Sequence, residues 1–137
     1  MNRIDLQKIA EVRIRESRTL LDAGFPDGAY YLAGYAVECA LKACIAKRTR
    51  ELDFPEKRLV NDSHTHDLEK LLSVAELKSE LDAAVQVDPS MEESRTTVQE
   101  WSETSRYEKK TVQEAARLLR AIEDKKGGLL PWIMQRW

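Results

Sequence analysis

Residues Gly28–Ala46, GAYYLAGYAVECALKACIA, decide the fold. The stretch is nineteen residues long and carries two charges, Glu38 and Lys42. Ahead of Glu38 stand five alanines or glycines and three tyrosines. A helix on a protein surface sets an apolar stripe against a polar face, and this run has almost no polar face. It reads as a helix buried on most sides, the central post of a small all-α domain. Ala29, Ala33, Ala36, Ala40 and Ala43 alternate in steps of four and three, so they lie along one side and let another helix backbone come close. Tyr31, Tyr35, Glu38 and Lys42 form a second stripe, in which Glu38 and Lys42 have the favourable order for an ion pair. That side holds the only polar heads and is expected to face a rim, a cleft or a partner.

Around this post the chain has 137 residues, enough for one domain with one core. Apolar residues make up 42% and charged residues 34%, with five glycines and four prolines, a soluble and helix-leaning mixture. The net charge of −2 gives no overall basic excess to draw the chain onto nucleic acid or an anionic membrane, so any RNA contact needs a local patch. Glu38, Lys42 and the closing Lys47 and Arg48 argue against a membrane span through the apolar run. The first residues, MNRIDLQKIAEVRIRE, contain no apolar signal core. Cys39 and Cys44 sit five apart on different helix faces and read as buried thiols of a reducing cytoplasm.

Upstream, residues 3–23 read as a helix with Leu6, Ile9, Ala10, Val12, Leu20 and Leu21 inward, stopped at Gly24. Phe25-Pro26 makes a turn and Asp27 is expected to cap the post, which runs to about Thr49. Residues 50–65 read as irregular, because Pro55 forbids a continuous helix. A helix then starts near His66 and Asp67 with Leu68, Leu71 and Leu72 inward, and either runs on or breaks before a second piece at Leu77–Val87. Asp88-Pro89 is a break, after which Ser90 is expected to cap a helix to about residue 107 with Met91, Val98 and Trp101 as its apolar side. Val112, Ala115, Ala116, Leu119 and Ile122 stripe a last long helix. Residues 1–126 thus read as the bundle, and 127–137, with LLPWIMQRW, as an apolar tail that docks on the bundle or on a partner.

Chemistry has few carriers. His64 and His66 are the only neutral-pH bases, and no cluster at standard spacing completes a metal site around them. The plainer reading of His66 is a helix-opening residue whose ring packs or bonds locally. There is no nucleophile elbow and no glycine-rich phosphate loop. The segment Trp101–Tyr107, WSETSRY, offers Arg106 for a phosphate and Tyr107 for stacking on a base. Its plainer reading is a surface arginine paired with Glu103 or a neighbour, and a tyrosine half-packed in the core.

The string FPDGAYYLAGYAVECALKACIA closely resembles the second helix of HEPN-domain proteins, through Asp27, Ala29, Tyr30, Tyr31, Ala33, Gly34, Ala36, Val37, Glu38, Ala40, Leu41 and Lys42. HDLEKLL at His66–Leu72 and SRY at Ser105–Tyr107 also look like this family, and the resemblance covers roughly residues 5–125. It implies an up-down bundle of about four to five helices and a homodimer. Many members are metal-independent endoribonucleases of toxin–antitoxin, CRISPR or phage-defence systems, and others are non-catalytic partners of a minimal nucleotidyltransferase. The ribonucleases carry an arginine followed a few residues later by a histidine, late in the bundle. In that pair histidine moves protons and arginine steadies the phosphorane charge. Here no histidine follows Arg106, and the one spacing match, Arg58 with His64, lies before the third helix. The resemblance therefore implies a non-catalytic or degenerate HEPN domain, a homodimeric nucleotide- or nucleic-acid-associated module without cofactor or metal. Tyr31, Tyr35, Glu38, Lys42, Arg106 and Tyr107 are its expected ligand-binding residues. The alternatives are a ribonuclease toxin using His64 or His66 with Arg58 or Arg106, and a purely structural dimerisation domain.

Overall fold

The computed structural model describes residues 1–51 and 57–137. They form eight α-helices and one 3-10 turn, with no strand among the described residues. In chain order the helices are α1 (Arg3–Asp22), α2 (Pro26–Glu51), α3 (Lys57–Ser63), α4 (Leu68–Val74), α5 (Lys78–Val87), α6 (Pro89–Gln99), α7 (Val112–Glu123) and α8 (Leu129–Met134). The 3-10 turn, Glu103–Tyr107, lies between α6 and α7.

The post is α2, which packs along α1 and also meets α4, α7, α8 and the 3-10 turn. Its alanine stripe is buried throughout, with Ala33, Ala36, Ala40 and Ala43 fully inaccessible. Against it lie Ala10, Ile14 and Ser17 of α1, and the buried Ser17 hydroxyl donates to the Ala29 carbonyl at 2.6 Å. That bond occupies the hydroxyl of a polar residue inside the interface. Asn2 and Asp5 make a reciprocal capping box at the start of α1, and Gly24, at φ +87°, ends the α1–α2 corner in the left-handed geometry that glycine adopts freely.

Several local expectations are corrected. α2 begins at Pro26, which suits a first-turn position because its missing N–H would be unpaired there anyway. Asp27 therefore lies inside the first turn, and its carboxylate accepts from the Lys110 N–H at 2.6 Å instead of capping the helix. Lys110 also places its ammonium 4.4 Å from the centre of the Tyr30 ring. These two contacts tie the lead into α7 to the start of α2. Within the stretch read as irregular, Lys57–Ser63 is helical, whereas Pro55 lies outside the described residues. α6 is capped by Asp88, not Ser90: the Asp88 carboxylate accepts from the Ser90 N–H at 3.0 Å and from its hydroxyl at 2.7 Å. The Ser90 hydroxyl holds the Asp88 carboxyl below its ordinary value. α6 also stops at Gln99, well short of residue 107.

The helix number exceeds the expected four to five for the same local reasons. The segment after His66 breaks at Glu76, which takes φ 58°, and divides into α4 and α5. Arg48 bridges that break, donating to the Val74 carbonyl at 2.6 Å and pairing with Glu76. In α7 the buried side is Ala115, Leu118, Leu119, Ala121 and Ile122, while Val112 is exposed. The stripe thus rotates past its first member once Thr111 and Glu114 have formed a capping box. In the segment 127–137, Leu129, Leu130 and Ile133 of α8 are buried against α2, α6 and α7. None of the described helices is long and apolar enough to cross a membrane.

Cys39 and Cys44 are free thiols on α2, only 3% and 4% exposed. Burial pushes the Cys39 thiol up and the Cys44 thiol up to about 11. Both therefore stay protonated at pH 8, and a protonated thiol is a poor nucleophile. A thiol-exchange reagent at pH 8 is expected to label neither cysteine on the timescale in which it labels both in denaturant. Fast labelling of the native chain would contradict the burial.

Candidate functional site

Gly34 starts the site. A Cβ there would lie 2.1–2.2 Å from three atoms of the Trp101 indole, so only glycine leaves room for the ring. Trp101, 4% exposed, seats in this notch and stacks on Tyr31 at 6.2 Å and 25°. Tyr31 in turn stacks on Tyr35 at 6.1 Å and 14°. Aromatic pairs at such separations attract beyond their buried area. With Trp101 fixed and Ser105 buried, the 3-10 turn is pinned to α2 and presents Glu103, Arg106 and Tyr107 outward. The Arg106 guanidinium carbon lies 4.9 Å from the centre of the Tyr107 ring. The neighbouring Tyr107 and Tyr31 phenols hold Arg106 above its ordinary value. Tyr107 is 80% exposed, not half-packed.

Glu38 is the second feature. It is 1% exposed, so it does not itself line an open cleft, although it lies on the polar stripe of α2. A carboxylate that deep must be paired. Lys42 Nζ donates to it at 2.8 Å, and His66 Nδ1 lies 2.9 and 3.1 Å from its two oxygens. On the other side of the ring, His66 Nε2 lies 3.2 Å from Glu103 Oε2. His66 therefore straps α2 to the 3-10 turn, with a carboxylate at each ring nitrogen. Glu103 contacts His66 and not Arg106, so of the partners expected for Arg106 it is a neighbour, Tyr107, that its guanidinium meets.

Tyr31, Tyr35, Arg106 and Tyr107 are thus brought together with Trp101, and Glu38 lies beside them through His66 and Glu103. Lys42 is turned toward a groove of about 710 Å³ between α1, α2 and the end of α3, where His64 also lies. Arg58 is elsewhere: it pairs with Asp62 at 3.7 Å and lines a different groove with Arg48, Lys70 and Glu76. His64 and Arg58 thus border separate grooves, and His64 and His66 belong to separate clusters. Among the described residues no group of three or more His, Cys, Asp or Glu is placed to hold a metal ion.

The His66–Glu38 contact and the Trp101 anchor escape a reading by periodicity, because their partners lie far apart in the chain. One signal was available. A lone acid in an apolar run needs more than one helical neighbour to satisfy both oxygens, which points to a further donor without naming His66.

A sequence model of the HEPN domain matches residues 5–125, which takes in nearly all of α1 through α7. No curated protein and no solved structure matches the chain. With that match over most of its length, and with its all-helical architecture, the chain belongs to the HEPN domain family.

Proposed function

We propose that this chain is a non-catalytic HEPN domain that binds single-stranded RNA or nucleotides as a homodimer. The observation that carries the non-catalytic reading is the engagement of His66 at both nitrogens, by Glu38 at 2.9 Å and Glu103 at 3.2 Å. A general base needs a free nitrogen within reach of the proton that it takes. The binding part is supported by the Tyr35–Tyr31–Trp101 stack with Arg106 and Tyr107 at its edge. Of these rings Tyr107 is exposed and Tyr31 and Tyr35 are half-buried, so they can accept unpaired bases over the buried Trp101, and the Arg106 guanidinium, without a carboxylate partner among the described residues, suits phosphate. Homodimerisation rests on family habit, since HEPN domains commonly dimerise. The resemblance adds a minimal nucleotidyltransferase as the class of protein partner, within a toxin–antitoxin or defence system.

A labelled single-stranded oligoribonucleotide without terminal phosphate tests the surface by anisotropy. Tyr107→Ala and Arg106→Ala are each expected to weaken binding by about 1–3 kcal/mol, the usual worth of one base stack. Undiminished binding in both variants would remove this surface from the function. In a parallel incubation with total RNA and excess chelator, the chain is expected to leave RNA intact. Cleavage that disappears in the His64→Ala/His66→Ala variant would instead establish the metal-independent endoribonuclease.

A further inference from the structure

We propose that His66 is a pH-sensitive latch: as an imidazolium it holds the 3-10 turn against α2, and on losing its proton it lets the turn go. The inference rests on the geometry of the strap and not on any ligand of the aromatic surface.

The count of donors carries it. His66 Nδ1 lies 2.9 and 3.1 Å from the two oxygens of Glu38, and Nε2 lies 3.2 Å from Glu103 Oε2. An ionised carboxylate accepts and cannot donate, so each contact needs an N–H on the ring. The imidazolium has two N–H groups and satisfies both acids. The neutral ring has one, so its other nitrogen would face a carboxylate with a lone pair. Charge gives the same answer. Lys42 and the imidazolium balance Glu38 and Glu103, and deprotonation leaves the cluster with one negative charge in excess.

Burial decides which contact opens. The Glu38 side chain is 2% exposed, so it cannot turn to water. The Glu103 side chain is 39% exposed on a five-residue turn, and it can. The neutral ring therefore keeps its proton on Nδ1 and gives up Glu103. Among the described residues the other charged groups around the strap are engaged elsewhere. The Asp67 carboxylate accepts from the Lys70 N–H as the cap of α4, and Lys70 pairs with Asp62. Arg106 lies over the Tyr107 ring, and His64 borders the groove beside Lys42. Histidine changes charge between about pH 5 and 8, so the latch is complete at the acid end of that range and loses its hold on Glu103 at the alkaline end.

Hydrogen exchange of the full chain, corrected for the intrinsic effect of pH, tests the latch. The reporters are the Ser105 and Glu108 amides, which donate to the Ser102 and Ser105 carbonyls of the turn. Their protection is expected to fall about three- to tenfold from the acid to the alkaline end, while amides in the buried half of α2 keep theirs. His66→Ala should hold protection at the low level throughout. Glu103→Gln is the decisive variant. Its amide accepts from the imidazolium through oxygen and donates to the neutral ring through nitrogen, so the turn is expected to stay protected at every pH. His64→Gln should behave as the parent does. The readout involves no oligonucleotide, so the latch and the binding surface can each fail while the other stands. Protection of the turn that ignores pH in the parent, that falls equally along α2, that falls in Glu103→Gln as in the parent, or that loses its pH dependence in His64→Gln would overturn the proposal.

Discussion

Gly34→Ala is expected to destabilise the chain by about 2 kcal/mol, although alanine is the better helix former by about 1 kcal/mol. The two effects have opposite signs, and geometry decides which wins. The new methyl would stand 2.1–2.2 Å from the Trp101 indole, a distance at which one side must move. Trp101 has nowhere to go, because it is 4% exposed and stacked on Tyr31. Overpacking of this kind costs about 1–3 kcal/mol, occasionally more, and an immovable ring puts the site at the upper end. For a domain of this size the melting temperature should fall by roughly 6–10 °C. The fall should come with weaker oligonucleotide binding, because the indole also anchors the turn that carries Arg106 and Tyr107. In a Trp101→Leu background the same substitution should cost far less, and the double-mutant cycle reads the difference directly. A Gly34→Ala variant that melts above the parent would mean that helix propensity alone governs the position and that the ring is not seated there.

The notch also shows where sequence reading stops. The alanine side of α2 was legible because packing of small residues is periodic, and Ala29 to Ala43 repeat it without interruption. Gly34 stands outside that period. Its role depends on a tryptophan sixty-seven positions later, which no local pattern connects to it. The end of α6 at Gln99 was obscured in the same way, whereas the break before Leu77 was legible as one of two readings and is the one that the helices α4 and α5 follow. Glu76 adopts a left-handed backbone that its residue type does not announce, and the turn to Arg48 holds it there. At the site, Tyr31, Tyr35, Arg106 and Tyr107 were legible as residue types suited to stacking and phosphate contact. The pairing of Glu38 with His66 was not, because a separation of twenty-eight positions erases any spacing signal.

Lys42→Met is expected to cost about 2–3 kcal/mol, and Glu38→Leu/Lys42→Met to restore most of that loss. Breaking a buried ion pair from one side leaves an uncompensated charge, for which about 3–5 kcal/mol is usual. Here the cost is reduced because His66 still contacts Glu38 and Lys42 itself is 25% exposed. Replacing both partners by apolar side chains removes the stranded charge, and such exchanges are often neutral or stabilising. Glu38 therefore contributes little net stability, and its value lies in what it holds. It fixes His66 Nδ1, which leaves Nε2 aimed at Glu103 on the turn that carries Arg106 and Tyr107. The double variant should consequently melt within a few degrees of the parent, yet bind the oligonucleotide more weakly than the parent does. His66→Ala should reproduce that binding loss, because it cuts the same strap one residue further along. Chemical denaturation gives the stabilities and anisotropy gives the affinities. If the double variant binds as the parent does, the strap does not position the surface. If it melts as low as Lys42→Met, the buried acid is a stabilising pair in its own right.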